Sequence, residues 1–185
     1  NMLGCHDGIP MLDLKGILPE EDIQKLIALI VDRGGMVKNL HGQKNVYYQV
    51  NATYYSALGE SDEKMLLARA IQMFMPGKSQ IWYLDLFAGK NDHEAVQRAG
   101  ESGHKEINRT NLSTDQITEG LKKDVVQKQL ALIRMRNTHK AFSEGAEVAI
   151  SGGERSLEIR WEYNSAFATL YVNFESGTYT IVESK

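Results

Sequence analysis

The chain has 185 residues, of which 42% are hydrophobic and 24% are charged, and its formal net charge is −3. This composition is typical of a soluble globular protein, and its weakly acidic balance argues against a nucleic-acid partner. Because Cys5 is the single cysteine and no apolar run is long enough to cross a bilayer, the sequence excludes an internal disulfide and predicts a cytoplasmic protein without a membrane-spanning segment.

The first motif of the chain is Cys5-His6-Asp7-Gly8, which follows a stub of four residues from Asn1 to Gly4. That stub is too short to form a strand that would hold Asp7 in place. We therefore expect the sequence to be the C-terminal piece of a larger protein.

A first helix is predicted to begin after Pro19, where proline and three acidic residues suit a helix N-terminus, and to end at Gly34-Gly35. Its apolar residues recur at helical spacing and are Ile23, Leu26, Ile27 and Ile30.

A tyrosine-rich run, Val46 to Tyr55, comes after a polar segment that contains Lys38, His41 and Lys44. Four tyrosines set among amides and hydroxyls suit a surface that binds a polar ring. A half-buried strand with tyrosines on one face explains the same pattern, and the sequence leaves both interpretations open.

A second helix is predicted from Asp62 to a stop at Pro76-Gly77. The run that follows, Gln80 to Phe87, is almost continuously apolar, which is typical of a parallel strand covered on both faces. A helix, a short turn and a buried strand together form the repeating unit of an α/β barrel or a doubly wound sheet. Asp85, inside this run, is expected to be a strand-end carboxylate facing a helix N-terminus, with a buried, hydrogen-bonded carboxylate near the site as the alternative.

The polar segment from Gly89 to Arg109 shows little periodicity and predicts a long irregular connection, which inside a domain is usually functional. Ser113 and Gln116 then have the spacing of a capping box. A long amphipathic helix is predicted from about Lys122 to His139.

Beyond Phe142 the hydrophobic pattern alternates with a period of two, which predicts a small antiparallel meander. Its turns are predicted at Gly152-Gly153, Asn164-Ser165 and Ser176-Gly177.

Four segments carry a resemblance to a known family: His6-Asp7, Tyr48-Gln49-Val50-Asn51, Ala88-Gly89-Lys90-Asn91-Asp92 and Ile107-Asn108-Arg109. In this order they resemble the C-terminal portion of the sucrose phosphorylase group, within glycoside hydrolase family thirteen, the α-amylase family. The resemblance implies α/β plus all-β architecture. Residues 1–141 would be the end of a (β/α)8 barrel, with the end of strand 7, a long loop, strand 8 and the terminal helices, and residues 142–185 a small antiparallel β domain.

The resemblance also implies roles for single residues. Asp7 would be the third carboxylate, which stabilises an oxocarbenium-like transition state, and His6 would bind the same glucosyl ring. Tyr48 and Gln49, with Arg109 and Asn108, would bind phosphate or the acceptor, because a guanidinium matches phosphate oxygens well. Without the other motifs, a turn cap would explain Asp7, and an ion pair to Glu106 or Asp115 would explain Arg109.

The implied function is that of a retaining α-glucoside phosphorylase, a glycosyltransferase that moves glucosyl from sucrose or a related α-glucoside, phosphorylated or not, to inorganic phosphate. Such an enzyme needs a nucleophile and a general acid/base about 5–5.5 Å apart. In the family both lie on earlier barrel strands, so we expect this chain alone to be inert. A hydrolase or glucosyltransferase of the same family and a non-catalytic carbohydrate-binding module are the alternatives.

The sequence departs from the family where sucrose phosphorylases commonly have Asp-Leu-Tyr-Gln, because this chain has Val46-Tyr47-Tyr48-Gln49. The loss of that carboxylate and the basic loop before it resemble relatives with a phosphorylated acceptor. His41 or Lys44 is therefore predicted to face an anionic acceptor group, with a solvated loop as the alternative.

The expected partners of the chain are a sugar and phosphate. No metal and no organic cofactor are expected, since the histidines lie at no metal-binding spacing. A barrel edge left open would be protected by a homodimer, by strand rearrangement or by a loose segment between Lys38 and Asn45.

Overall fold

The computed structural model describes residues 1–39 and 47–184, with the side chains of all these residues except 38, 39, 47 and 102. Their contacts divide the chain into two compact units. The mixed unit contains Met2–Ser61 and Ile81–Leu121, and the meander unit contains Asn1, Asp62–Gln80 and Lys122–Lys185. These units are discontinuous in sequence, and the boundary expected between residues 141 and 142 stays a prediction.

The mixed unit contains an antiparallel sheet of three strands in the order β1-β3-β2. The strands are β1 (Ile9–Pro10), β2 (Met36–Asn39) and β3 (Tyr47–Asn51). In the central strand β3, Val50 lies opposite both Ile9 and Val37 and is fully buried. The strand interpretation of the tyrosine-rich run is therefore confirmed for its first half.

Helix α1 (Glu20–Asp32) confirms the first predicted helix. Its buried residues are Ile23, Ile27 and Ile30, which recur at helical spacing and form one apolar face. This face packs into a core with Met11 and Val50. Burial of each isoleucine contributes roughly 2 kcal/mol, so this face accounts for much of the stability of the sheet and helix together. The predicted Leu26 is instead 38% exposed.

Short helices make up the rest of the mixed unit. They are α2 (Tyr54–Ala57), α4 (Tyr83–Leu86), α5 (His93–Ala99), a 3₁₀ helix (Gly100–Asn108) and α6 (Thr114–Gly120). The predicted capping box at the start of α6 is confirmed, because Ser113 and Gln116 exchange side-chain to backbone hydrogen bonds of 3.2 and 2.8 Å.

The strand predicted from Gln80 to Phe87 is wrong. Trp82 has an extended backbone (φ −73°, ψ 129°), but the run pairs with no strand within residues 1–39 and 47–184, and it continues as helix α4. A strand needs a neighbour for its backbone groups, whereas a helix satisfies them locally. Asp85 is buried and accepts a hydrogen bond of 2.8 Å from the backbone N–H of Tyr54, at the start of α2. Its expected position at a helix N-terminus is therefore confirmed, although it does not end a strand.

The irregular connection predicted from Gly89 to Arg109 is also wrong in part. It contains α5 and the 3₁₀ helix Gly100–Asn108. Asp92 starts α5, because its side chain accepts a hydrogen bond of 2.8 Å from the backbone N–H of Ala95. This contact, with the bond from the Thr110 hydroxyl, holds the pKa of Asp92 below its usual value.

The meander unit combines helices α3 (Asp62–Phe74) and α7 (Asp124–Thr138) with four antiparallel strands in consecutive order. These strands are β4 (Glu147–Gly153), β5 (Ser156–Tyr163), β6 (Ala166–Asn173) and β7 (Thr178–Glu183). The Trp161 indole donates a hydrogen bond of 2.6 Å to the carbonyl of Phe74, which joins β5 to α3. Both helices and the meander were predicted, but Gly152 and Gly153 belong to β4 and the turn follows them.

No helix among the described residues combines the length and the apolar character that crossing a membrane requires.

Candidate functional site

The site is built on a tight turn from Cys5 to Gly8, closed by two backbone hydrogen bonds between these residues, of 3.0 and 3.2 Å. Gly8 has φ +104°, a conformation that residues with a side chain rarely adopt. A Cβ atom at Gly8 would lie 2.3 Å from the carbonyl oxygen of Val50 in β3. Only glycine therefore allows the turn to lie directly on the central strand.

Two fully buried asparagines hold this turn through its backbone. The Nδ2 group of Asn51, at the end of β3, donates a hydrogen bond of 2.7 Å to the carbonyl of Asp7. The Nδ2 group of Asn108, at the end of the 3₁₀ helix, donates a bond of 2.7 Å to the carbonyl of Cys5. The two amides therefore bind the backbone of the turn from two different elements.

The side chain of Asp7 is the centre of a charged group that we name the Asp7 cluster: His6, Asp7, Lys105 and Arg109. Oδ1 of Asp7 accepts hydrogen bonds from Lys105 Nζ at 2.8 Å and from Arg109 Nη2 at 3.0 Å. Oδ2 lies 3.3 Å from Nε2 of His6. Arg109 also donates through Nε to the carbonyl of His6 at 3.0 Å, so it binds both the turn and the carboxylate.

The cluster keeps Asp7 charged. The hydrogen bond from Lys105 holds the pKa of the Asp7 carboxyl below its ordinary value of 3.8, helped by the charges of Lys105, His6 and Arg109 and opposed by partial burial. Because the folded-state pKa is depressed, these contacts stabilise the fold above the ordinary pKa and lose that effect as the pH falls through the lowered one. With 39% of the Asp7 side chain exposed, solvent screening keeps this contribution to stability small. The carboxylate is therefore negative at neutral and mildly acidic pH.

An aromatic side chain lies beside the cluster. The Trp82 indole donates a hydrogen bond of 3.1 Å to the carbonyl of Asn108, and its ring centre is 5.9 Å from that of His6. Tyr83 packs against Trp82 and donates its hydroxyl hydrogen to the carbonyl of Thr110, and burial raises the pKa of this phenol. Rings of this kind offer an apolar surface for one face of a sugar.

An open cleft of about 440 Å³ adjoins the cluster and shares Arg109 with it. Charged side chains of both signs line it, including Asp92, Arg98 and Glu106. Glu106 lies 3.9 Å from Arg109 and Arg98 lies 3.9 Å from Asp92, so the charges in the cleft are largely balanced.

A metal ion is the other chemical possibility, since one ligand atom each of Cys5, His6 and Asp7 lies within 4.8 Å of the others. Lys105 and Arg109, however, already bind the Asp7 carboxylate, and two positive charges at this distance repel a metal cation. The electrostatics therefore favour a neutral or anionic ligand, such as sugar hydroxyls or a phosphate.

Comparisons with known proteins agree with this chemistry, although no family model matches the chain. It is 52% identical over 190 residues to a sucrose 6(F)-phosphate phosphorylase from Ilumatobacter coccineus, which covers 98% of this chain and 36% of that protein. It is 35% identical over 193 residues to a glucosylglycerol phosphorylase from Marinobacter adhaerens, with 99% of this chain and 39% of that protein covered.

Among solved structures, sucrose 6F-phosphate phosphorylase from Thermoanaerobacter thermosaccharolyticum superposes on the whole chain with a TM-score of 0.92 and 37% identity. This chain corresponds to the C-terminal portion of a sucrose phosphorylase-type protein. It spans between 36% and 39% of the length of these relatives. The family resemblance predicted from the sequence is thereby confirmed.

The sucrose phosphorylase-type chain brings together most of the predicted site residues. His6, Asp7 and Arg109 are in direct contact, and Arg109 pairs mainly with Asp7. Asn108 touches the turn but is fully buried. The roles that the resemblance implies for these residues stay predictions.

The predicted tyrosine and glutamine lie on strand β3. Tyr48 is 53% exposed, and Gln49 lies opposite Pro10. In the part of the chain that the structure describes, neither side chain has a hydrogen bond to the Asp7 cluster. His41 and Lys44, which were predicted to face an anionic acceptor group, both lie outside the described residues.

Two residues of the site were missed by the sequence analysis, namely Lys105 and Asn51. Lys105 and Asn108 are three residues apart, a spacing that places both on one side of a 3₁₀ helix. Because the segment was interpreted as an irregular connection, this signal was not used. Asn51 belongs to one of the quoted motifs, but nothing in its sequence context distinguishes a buried amide that binds the turn.

Replacement of Asn108 by alanine is expected to destabilise the 185-residue chain by about 1 kcal/mol, because the carbonyl of Cys5 would lose one of its two donors and keep only the backbone N–H of Gly8. Urea unfolding measures this change. Asn111→Ala, at an exposed position of the same unit, is the control and should change the free energy of unfolding by less than about 0.5 kcal/mol. Equal stability of the two variants would contradict the role of the amide.

Proposed function

We propose that the intact protein containing this chain is a retaining α-glucoside phosphorylase in which Asp7 stabilises the glucosyl transition state. The observation that carries the proposal is a carboxylate on a turn whose backbone two buried amides bind, kept ionised by two cations, in a chain whose relatives are named as phosphorylases of glucosides. An oxocarbenium-like ring is positive, so a fixed negative group beside it lowers the activation barrier.

The proposed reaction has two displacements. A carboxylate nucleophile attacks the anomeric carbon, the glycosidic bond breaks, and a general acid protonates the leaving sugar. A phosphate oxygen then attacks the same carbon, the bond to the enzyme carboxylate breaks, and glucose 1-phosphate is released. The resemblance assigns the nucleophile and the general acid to the part of the relatives that this chain does not span, so we propose that the chain alone has no activity.

Arg109 is the proposed binding group for phosphate. Its guanidinium lies between the Asp7 carboxylate and the open cleft, where it could contact an anion that approaches the sugar. Asn108 was predicted to share this role, but its fully buried amide binds the carbonyl of Cys5, so we propose that it holds the turn instead. Tyr48 and Gln49 are proposed to bind the acceptor from β3.

The proposal is tested by the phosphate dependence of the intact protein. With sucrose or sucrose 6-phosphate as substrate, glucose 1-phosphate should form only when phosphate is present, and the isolated 185-residue chain should form none. Release of free glucose at the same rate without phosphate would identify a hydrolase and exclude phosphorolysis. Sugar binding by the isolated chain that survives the Asp7→Asn substitution would support a carbohydrate-binding module.

The finer proposal is that the leaving sugar, which is the acceptor in the reverse reaction, carries a phosphate group. The 52% identity to a protein named sucrose 6(F)-phosphate phosphorylase supports it. His41 is the proposed contact to its phosphate. His41→Ala in the intact protein should lower kcat/KM for sucrose 6-phosphate about tenfold, the loss expected for one charge-assisted hydrogen bond, and leave kcat/KM for sucrose unchanged. Equal losses on both substrates would contradict a role in recognising the acceptor phosphate.

A further inference from the structure

We propose that Lys105 is a positioning residue for catalysis, which orients the Asp7 carboxylate so that Oδ1 is held by the protein and Oδ2 faces the sugar. This inference rests on the proposed function, since it assumes that Asp7 serves the glucosyl ring. It assigns a role to a residue that neither the sequence motifs nor the names of the relatives indicate.

The first support is that the contact of Lys105 is specific to Asp7. Its ammonium donates to Oδ1 at 2.8 Å, the shortest polar contact of that carboxylate, and Asp7 is its one ion-pair partner among the described residues. Arg109, in contrast, also binds the carbonyl of His6 and lies near Glu106. Loss of Lys105 therefore removes one contact to the carboxylate and leaves the backbone of the turn intact.

The second support is the unequal use of the two carboxylate oxygens. Lys105 and Arg109 both donate hydrogen bonds to Oδ1. The basic group near Oδ2 is Nε2 of His6, at 3.3 Å. Two donors on one oxygen restrain the rotation of the carboxylate about its Cβ–Cγ bond more than one donor does. Oδ2 keeps its capacity to accept hydrogen bonds from a ligand.

The third support is the placement of Lys105 on the 3₁₀ helix. Residues three apart lie above one another in a 3₁₀ helix, and Lys105 and Asn108 have this spacing. One side of this helix therefore supplies the amide that binds the carbonyl of Cys5 and the ammonium that binds the side chain of Asp7. The helix is itself fixed by the fully buried Ile107, whose carbonyl accepts a hydrogen bond of 2.8 Å from Asp92.

The basic side chains that face Asp7 are Lys105, Arg109 and His6, and the carboxylate of Glu106 lies beyond Arg109. Without Lys105 the carboxylate would retain its contacts to Arg109 and His6 but would lose its shortest hydrogen bond, so its orientation would be less restricted. Its pKa would also rise, because the largest cause that lowers it would be lost.

The test compares Lys105→Met and Lys105→Arg with the wild type in the intact protein. Lys105→Met should lower kcat for phosphorolysis roughly tenfold or more while KM stays within about twofold, the pattern of an interaction used in the transition state. The acid limb of its pH profile should move to higher pH. Lys105→Arg, which keeps the charge and the donor, should restore most of kcat and the position of that limb.

Two controls make the result decisive. Lys25→Met removes an exposed ion pair on α1 and should leave kcat unchanged, and thermal midpoints should show that every variant is folded. If Lys105→Met keeps at least half of the wild-type kcat with an unmoved acid limb, the positioning role is overturned. If the proposed function itself is wrong, the wild-type protein will hydrolyse the substrate or be inactive. If it hydrolyses the substrate, kcat for hydrolysis can be compared among the same variants.

Discussion

Replacement of Asp7 by asparagine in the intact protein is expected to lower kcat for phosphorolysis by about a thousandfold or more, because the amide has the shape of the carboxylate but no charge to stabilise a cationic ring. Initial rates of glucose 1-phosphate release measure the loss. KM should change far less than kcat, since the charge of the ring develops only on the way to the transition state.

The control for this variant is Asp13→Asn, an exposed carboxylate in the same unit. It should retain the wild-type kcat. The thermal midpoint of the Asp7 variant should stay within a few degrees of the wild type, because ion pairs at a partly exposed carboxylate contribute at most about 1 kcal/mol. A variant that keeps more than about a tenth of the wild-type kcat would remove Asp7 from the proposed mechanism.

Replacement of Gly8 by alanine is expected to cost about 3 kcal/mol or more in the free energy of unfolding. The new methyl group would lie 2.3 Å from the carbonyl oxygen of Val50 and 2.9 Å from the Cα atom of Asn51, both of which are backbone atoms. Backbone strain at φ +104° adds roughly 1–2 kcal/mol to the overpacking. Urea unfolding of the 185-residue chain measures the sum.

Gly16→Ala separates the two causes. Gly16 also has a left-handed backbone (φ +84°), but nothing lies within 4 Å of the position that its Cβ would take. This variant should therefore show the strain alone, about 1 kcal/mol. Equal destabilisation at the two positions would mean that the close approach of the turn to β3 is not what requires glycine at Gly8.

The elements predicted well from the sequence are those with a long, regular hydrophobic pattern. Helices α1, α3 and α7 and the central strands β5 and β6 of the meander bury part of their residues, so the period of their apolar residues is visible in the sequence. The apolar run from Gln80 to Phe87 was misinterpreted because a short buried run looks the same as a strand and as a helical turn. The choice between them depends on whether another strand lies beside the run, and the residues of the run itself do not show this.

The sequence predicted the charged centre of the site but not Lys105 and Asn51, which hold Asp7 in place. The resemblance identified His6, Asp7 and Arg109 as neighbours although Asp7 and Arg109 are 102 positions apart. The resemblance gave no indication of Lys105. The hydrophobic period gave none either, because α5 and the 3₁₀ helix have too few buried residues to show a period in the sequence. Buried amides such as that of Asn51 are recognised only when the carbonyl that they bind is known.

Strand β3 carries both Tyr48-Gln49, which we propose contact the leaving sugar, and Asn51, which holds the backbone of Asp7. Any substitution that shifts β3 is therefore expected to disturb the proposed catalytic carboxylate together with the proposed binding site of the leaving sugar. Substitutions in β3 that change which leaving sugar the intact protein prefers are for this reason expected to lower kcat as well. Substitutions confined to loops that do not contact the strand are expected to change this preference without lowering kcat.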